Sequence, residues 1–180
     1  MKAAVLTAFG RPLDVKNVPA PVMGTGEVIV DVVAAPVLSY TNEVLSGERK
    51  YLLPVPVIPG CGAIGKVCQT GPDSAWLKPG DWVFCDPTVR SRDNALSPEI
   101  VLQGWSARGE GGQKIQQYHL NGSLAEQIRI PTENAVPIGD ISPAEAGRWC
   151  AINTLLVAYG GLLSMDLKAG ERLLVSGATG

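Results

Sequence analysis

Glycine and proline recur so often in this chain that long helices and long strands are excluded from most of it. The 180 residues include 21 glycines and 14 prolines, and both residue types end helices and interrupt strands. The segments between them are short and apolar, such as KAAVLT at 2–7 and EVIVDVVAA at 27–35, with the alternation typical of strands. The chain up to residue 140 therefore predicts a mainly β fold with short helices.

The charge balance and the hydropathy pattern exclude several classes of partner. Fifteen basic residues stand against 17 acidic ones, a formal net charge of −2, and no basic run occurs. Nucleic acid and anionic membrane surfaces are therefore not expected partners. The apolar start of the chain is too short for a signal peptide, and the most apolar stretch, 151–165, is interrupted by Asn153 and Thr154. We expect a cytoplasmic protein.

Two local patterns in the β-rich part predict a short helix and a long loop. Ser39 is positioned to cap a short helix that ends at Gly47. The stretch 87–119 shows no hydrophobic period, which predicts a long loop that carries function or mobility.

Cysteine and histidine limit the possible metal sites. The four cysteines, at positions 61, 68, 85 and 150, include no C-x-x-C pair, so we expect buried, inert thiols rather than disulfides. His119 is the single histidine, which excludes a His-rich zinc site. Its turn-like surroundings predict a solvated side chain.

At Ser142 the pattern changes to a helix followed by a buried strand. Ser142, Pro143 and Glu145 form a capping-box start, and apolar residues continue as far as Gly160-Gly161. An apolar strand at 172–176 then leads into the sequence GATG. A strand that enters G-x-x-G opens many dinucleotide-binding units, although an ordinary turn at a strand exit gives the same short pattern.

The order of these segments resembles the amino-terminal half of the medium-chain dehydrogenase/reductase superfamily, which holds zinc alcohol dehydrogenases and zinc-free quinone oxidoreductases. The resemblance spans essentially the whole chain and rests on MKAAVLTAFGRP, VMGTGEVIVDVVAAPV, SG at 46–47, PVIPGCGAIGKV, WLKPGDWVF, NGSLAEQIRIP and LKAGERLLVSGATG. It implies a GroES-like catalytic domain at 1–150, a partly open β barrel with short helices. It also implies that 151–180 begin a Rossmann α/β nucleotide-binding domain that the chain leaves incomplete.

The resemblance also implies that both zinc sites of the superfamily are absent. The first cysteine ligand of the zinc enzymes falls on Leu38, and their His-Glu pair falls on Cys61-Gly62. Their second cysteine matches Cys150, and no cysteine cluster for a structural zinc follows Asp86. We expect no metal, with residual binding by Cys61 and Cys150 as the alternative.

Two candidate catalytic residues follow from the same comparison. Tyr40 falls where zinc-dependent members carry the Ser/Thr of the proton relay, and a phenol can act as a general acid; the alternative is a packing role. Thr41 stands in place of an Asp that supports the site. Tyr51 is a second possible proton donor, and Trp105 is a core or surface aromatic or part of a pocket wall.

Four candidate cofactor residues complete the expected site. Ser39 matches a position that faces the pyrophosphate, and Thr154 matches the Thr that faces the nicotinamide. Gly177 and Gly180 match the start of the phosphate loop. The expected cofactor is NADP or NAD, with NADP slightly preferred.

The resemblance implies a zinc-independent, NAD(P)(H)-dependent oxidoreductase. Its small-molecule substrate would be a carbonyl, a quinone or an activated alkene. We expect the 180-residue chain alone to be inactive and a homodimer to form through the rest of the Rossmann domain. The alternative is a non-catalytic binding or interaction protein on the same fold, because a fold does not determine an activity.

Overall fold

The computed structural model describes residues 1–177 as a mainly antiparallel β fold with four short α-helices, which confirms the predicted fold class for this part of the chain. The strands are β1 (Lys2–Val5), β2 (Asp14–Asn17), β3 (Glu27–Ala34), β4 (Ala63–Thr70), β5 (Trp82–Cys85), β6 (Thr88–Arg90), β7 (Ile100–Leu102), β8 (Ser106–Ala107), β9 (Gln127–Pro131) and β10 (Ala135–Pro137). The α-helices are α1 (Thr41–Ser46), α2 (Gly109–Tyr118), α3 (Ala146–Trp149) and α4 (Ile152–Ser164), with 3₁₀ turns at Thr132–Asn134 and Pro143–Glu145.

A five-stranded sheet in the order β10-β5-β4-β3-β9 carries the main core. Val30 lies opposite Val67 on one neighbouring strand and opposite Ile128 on the other. All three are buried in one apolar cluster. Strand β3 is central because it pairs with β4 along one edge and with β9 along the other, and its residues Val28–Val30 are buried and apolar.

The hairpin of β1 and β2 extends this structure at one side. Leu6 and Val57 exchange backbone hydrogen bonds of 2.8 and 3.1 Å, and the Ala4 amide donates to the Leu124 carbonyl at 2.8 Å. These bonds tie the first segment of the chain to two distant segments. The result is the partly open barrel expected from the sequence.

The stretch 87–119 is not the loop predicted from the sequence. It contains the three-stranded sheet β6-β7-β8 and helix α2. Strands of two or three residues are too short to show a period, and three glycines weaken the helical signal of α2. The helix is held by packing instead: a Cβ at Gly112 would lie 2.9 Å from the Ile100 carbonyl oxygen, so glycine permits close contact with β7.

The capping box at Ser142 is confirmed, but the single long helix predicted after it is not. The Ser142 amide donates to Glu145 Oε2 at 3.2 Å. Around Cys150 the amides of Ala151 and Asn153 bond to carbonyls three residues earlier, which separates α3 from α4.

The strand predicted at 172–176 is not formed. Its residues are exposed, Leu174 at 93%, and have no ladder partner among the described residues. An apolar segment becomes a strand only when a neighbouring strand takes its backbone hydrogen bonds. None of the helices within residues 1–177 combines the length and the apolar composition that a membrane span needs.

Candidate functional site

A cleft of about 520 Å³ lies between the segment that follows β3 and the helices α3 and α4. It brings together Ser39, Tyr40 and Thr154, which sequence reasoning selected from positions more than a hundred residues apart. The rest of its lining is small or apolar, comprising Ala35, Pro36, Val37, Leu38, Gly147, Cys150 and Ala151. A concave lining that combines apolar side chains with polar groups is typical of a site for an organic molecule.

The first turn of α1 places Ser39 at the cleft, but not as a cap. The helix begins at Thr41 with Tyr40 as its N-cap, and no side chain caps it. The expectation that Ser39 caps this helix is therefore wrong. Because the Ser39 side chain is exposed and satisfies no helix amide, its hydroxyl is available to a ligand in the cleft.

Tyr40 is half-buried beside the cleft, between two side chains that come from other segments. Its ring meets Trp105 edge to face, with centroids 6.1 Å apart, and the Arg49 guanidinium carbon lies 4.1 Å from its centroid. Burial raises the pKa of the phenol, while Trp105 and Arg49 act to lower it. The phenol is therefore protonated at neutral pH, as a proton donor must be.

Trp105 is a core residue. It is 2% exposed and does not line the cleft, so it packs against Tyr40 inside the core and does not form a pocket wall.

Thr41 and Tyr51 lie outside the cleft lining. The Thr41 hydroxyl is buried without a hydrogen-bond partner, at the first residue of α1. Tyr51 lines a separate surface cavity next to α2. Its side chain packs against the cluster that contains Trp105 and Tyr40. Of the two candidate proton donors, the structure places only Tyr40 at the cleft.

The residues at the zinc positions do not fit a catalytic zinc ion. Burial, with a smaller effect from Asp86, raises the pKa of Cys61 to about 12, and burial also raises the pKa of Cys150. Thiolates rather than thiols bind metal. A catalytic site needs three protein ligands, and no cluster of three suitable side chains occurs among residues 1–177.

Gly62 occupies the position of the family glutamate, and its surroundings exclude a longer side chain. Its φ is +83°, which disfavours any residue with a Cβ. That Cβ would lie 2.8 Å from Asn153 Oδ1. A glutamate at position 62 would therefore adopt a strained backbone conformation and would have to displace the Asn153 amide.

The remaining cysteines differ in burial. Cys85 is fully buried, and its pKa is raised to about 12 by that burial. Cys68 is only half-buried, as is Cys150, so the expectation of four buried thiols is wrong for these two.

Of the residues expected to bind the cofactor, some line the cleft and others do not. Thr154 lies exposed in the first turn of α4 and faces the same cleft as Ser39. Gly177 has a φ of +69° and does not line the cleft. Gly180 lies outside the described residues.

Sequence reasoning misjudged His119 and missed Arg49. His119 is 12% exposed at the side chain, and its Nε2 lies 4.0 Å from Glu27 Oε1, so it is not a solvated turn residue. Burial lowers the pKa of His119. Arg49 lies in the polar run GERKY, where nothing in the local sequence indicates that it covers Tyr40.

The family model described as the alcohol dehydrogenase GroES-like domain matches residues 24–140. An alcohol dehydrogenase of Geobacillus stearothermophilus is 32% identical over 182 residues, and one of Moraxella sp. (strain TAE123) is 30% identical; each alignment covers 100% of this chain and 52% of the relative. The crystal structure of an NAD-dependent alcohol dehydrogenase is 27% identical, with a TM-score of 0.62 over 76% of this chain and 39% of that one. The chain thus spans about half the length of the curated relatives it matches. With the model match covering most of its length, the chain belongs to the alcohol dehydrogenase GroES-like domain family.

Proposed function

We propose that the protein containing this chain is a zinc-independent, NAD(P)(H)-dependent oxidoreductase that reduces a carbonyl, a quinone or an activated alkene. The observation that carries the proposal is the cleft that Ser39, Tyr40 and Thr154 line together, in a chain of the alcohol dehydrogenase GroES-like domain family. Tyr40 can supply a proton, and Ser39 and Thr154 can hold a cofactor. Each has a separate part in the reaction.

Tyr40 is the proposed proton donor. The residue lines the cleft, its phenol is protonated at neutral pH, and the resemblance places the proton relay of the superfamily at this position. A substrate oxygen that gains negative charge during reduction needs either a cation or a proton. Since the residues at the zinc positions do not fit a metal, we assign that role to Tyr40. Thr41, whose buried hydroxyl has no hydrogen-bond partner, keeps its proposed place as a catalytic residue that supports the site next to Tyr40.

Ser39 and Thr154 are the proposed cofactor contacts. Both residues line the cleft, Ser39 from the segment before α1 and Thr154 from α4. A nicotinamide dinucleotide supplies the hydride, and the protein orients it and excludes water. We further propose that residues 1–150 are the catalytic domain and that 151–180 begin the nucleotide-binding domain, with Gly177 and Gly180 in its phosphate loop.

The cofactor and assembly follow the same proposal. We retain NADP as slightly preferred over NAD, and a homodimer formed through the nucleotide-binding domain. The exposed apolar residues of α4, such as Leu155 at 64%, are the surface we expect the rest of that domain to cover.

The test is a titration of NADPH, and then NADH, into the protein expressed from the longest reading frame that includes this sequence. Nicotinamide fluorescence reports binding, and the 180-residue chain is the control, which we expect to be inactive. Binding by the long form, followed by carbonyl or quinone turnover that is unaffected by a zinc chelator, supports the proposal. Absence of binding by either form would leave a non-catalytic binding protein as the better description.

The role of Tyr40 is tested separately in the long form. Tyr40→Phe removes the hydroxyl and keeps the ring, so we expect turnover to fall about 100-fold, within the range for loss of a general acid. Tyr118→Phe is the matched control, because Tyr118 lies outside the cleft lining and outside the cluster that contains Tyr40. Equal effects of the two substitutions would remove Tyr40 from its assigned role.

A further inference from the structure

The Tyr40 side chain is held by two contacts that the family resemblance does not include. Trp105 meets one edge of the phenol ring and Arg49 covers its face. Trp105 belongs to the turn between β7 and β8, and Arg49 to the loop after α1. A packing residue would need only apolar neighbours, whereas these two bring an N–H donor and a positive charge.

The Trp105 indole is a buried donor without a formed hydrogen bond. The residue is 2% exposed, and its Nε1 has no partner of full hydrogen-bond geometry. It lies near enough to the Tyr40 hydroxyl to lower the pKa of the phenol. An unpaired buried N–H is costly in a folded protein. Negative charge on the Tyr40 oxygen would complete this bond and remove the cost.

Arg49 supplies charge and is itself held in place. Its Nε donates to Glu43 Oε2 at 2.9 Å, which fixes the guanidinium over the Tyr40 ring. The positive charge therefore remains beside the phenol although Arg49 lies at the surface. The remaining ionisable groups that influence the phenol, Cys61 and Tyr51, oppose its ionisation.

We propose that Trp105 and Arg49 are positioning residues that prepare Tyr40 to give up its proton, Trp105 by donating its indole N–H to the phenolate and Arg49 by placing a cation over the ring. This inference rests on the proposed function of Tyr40. In the step, the Tyr40 O–H bond breaks, a new O–H bond forms on the substrate oxygen, and both electrons of the broken bond stay on the phenolate. The hydride that reduces the substrate comes from the dinucleotide, and water afterwards returns a proton to Tyr40.

The experiment measures ionisation of Tyr40 without cofactor or substrate. The tyrosines of the 180-residue chain are replaced by 3,5-difluorotyrosine, which ionises at lower pH, and each is followed by ¹⁹F NMR across a pH titration. Tyr40→Phe assigns the Tyr40 signal among the four tyrosines. Trp105→Phe removes the N–H and keeps most of the packing, and Trp82→Phe is the matched control because Trp82 is buried in a separate cluster.

We expect Trp105→Phe to raise the pKa of the Tyr40 position and Trp82→Phe to leave it unchanged. Arg49→Gln raises it as well, Arg49→Lys restores part of the effect, and Arg90→Gln, at an exposed arginine distant from the Tyr40 cluster, does not. An unchanged Tyr40 titration in both Trp105→Phe and Arg49→Gln overturns the inference. Because Arg49 is a surface residue, the arginine variants decide the question even if Trp105→Phe fails to fold.

Turnover in the long form separates this inference from the proposed function. Trp105→Phe and Arg49→Gln should each lower kcat about tenfold, with KM changed less than twofold and the high-pH limb of the profile displaced upward. If the Tyr40 titration responds to these substitutions but Tyr40→Phe leaves turnover intact, the proton-donor assignment fails. If Tyr40→Phe abolishes turnover but the titration does not respond, the positioning roles fail alone.

Discussion

Three glycines, Gly60, Gly104 and Gly122, lie in contact at a point where three chain segments cross. Their contacts predict how much stability is lost when a methyl group is added there. A Cβ added at Gly122 would overlap the Gly60 carbonyl oxygen and would lie 2.9 Å from the Gly104 Cα. Both neighbours are backbone, so no side chain can rotate away. Gly60 precedes Cys61 and Gly104 precedes Trp105, and both of these residues pack beneath Tyr40. A shift at this crossing would move the support of the candidate site.

The expected cost of Gly122→Ala follows from these contacts. Overpacking a filled interior costs about 1–3 kcal/mol, and overlap with two rigid backbone groups places this substitution at the upper end, about 3 kcal/mol. Gly104→Ala meets the same crossing and also has a φ of +71°, which adds about 1–2 kcal/mol. Gly80→Ala has a φ of +97° but open space around it, so only the backbone cost applies. Gly161→Ala, within α4 and without any close neighbour, should gain about 0.5–1 kcal/mol.

Guanidinium unfolding followed by tryptophan fluorescence measures these differences. The free energy of unfolding should decrease in the order Gly161→Ala, wild type, Gly80→Ala, Gly122→Ala, Gly104→Ala, with an unchanged slope against denaturant. A loss below about 1 kcal/mol for Gly122→Ala would refute the reasoning, because the crossing would then relax at little cost. The position of Gly80→Ala in the series separates backbone strain from overlap.

Three further predictions concern the cleft and the buried histidine. Thr154→Val, which removes one hydroxyl from the cleft, should weaken dinucleotide binding by the long form about tenfold, as measured by nicotinamide fluorescence; an unchanged Kd would contradict its assignment. The double substitution Cys61→His, Gly62→Glu should not create zinc affinity, because position 62 has a positive φ and Asn153 occupies the space; one tightly bound zinc by metal analysis would contradict this. Burial lowers the pKa of His119, so the unfolded chain binds the proton more readily, and the free energy of unfolding should fall as the pH drops below about 6.5. His119→Gln should flatten that dependence between pH 7 and pH 5.5, and a parallel curve would place its origin elsewhere.

The parts of the fold that could be predicted from the sequence are those that a local pattern determines. Strand β3 could be predicted from the alternation of residue types along it. The capping box could be predicted from Ser142, Pro143 and Glu145 alone. Helix α2 could not be predicted, because its stability comes from packing of Gly112 against β7 and from a hydrogen bond of 2.8 Å that Gln116 donates to the Leu52 carbonyl. These contacts join Gly112 to Ile100 and Gln116 to Leu52, which lie outside the helix. They therefore cannot be predicted from the sequence of the helix itself.

The candidate site shows the same division. Ser39, Tyr40 and Thr154 could be selected by their place in the motif series, and the structure brings all three to one cleft. Arg49 could not be selected, since its position over the Tyr40 ring depends on the path of the chain after α1. The burial of His119 beside Glu27 likewise depends on the approach of α2 to the start of β3. The neighbours that shift the pKa of a side chain are determined by the tertiary structure, and the local sequence around that side chain does not predict them.

Cys61 connects the apparent loss of the metal site with the proposed use of Tyr40. In the zinc enzymes the corresponding position is a histidine that reaches a metal, whereas here the side chain is 5% exposed in one apolar cluster with Trp105. That cluster also supports the Tyr40 ring. A polar imidazole at this position would need a partner within the cluster or would cost free energy as an unpaired buried group, and it would displace the packing that holds Trp105 beneath the phenol. The two arrangements therefore compete for the same space. Under the proposed function, the burial of Cys61 in this cluster is the reason for assigning the proton to Tyr40 and not to a metal-bound group.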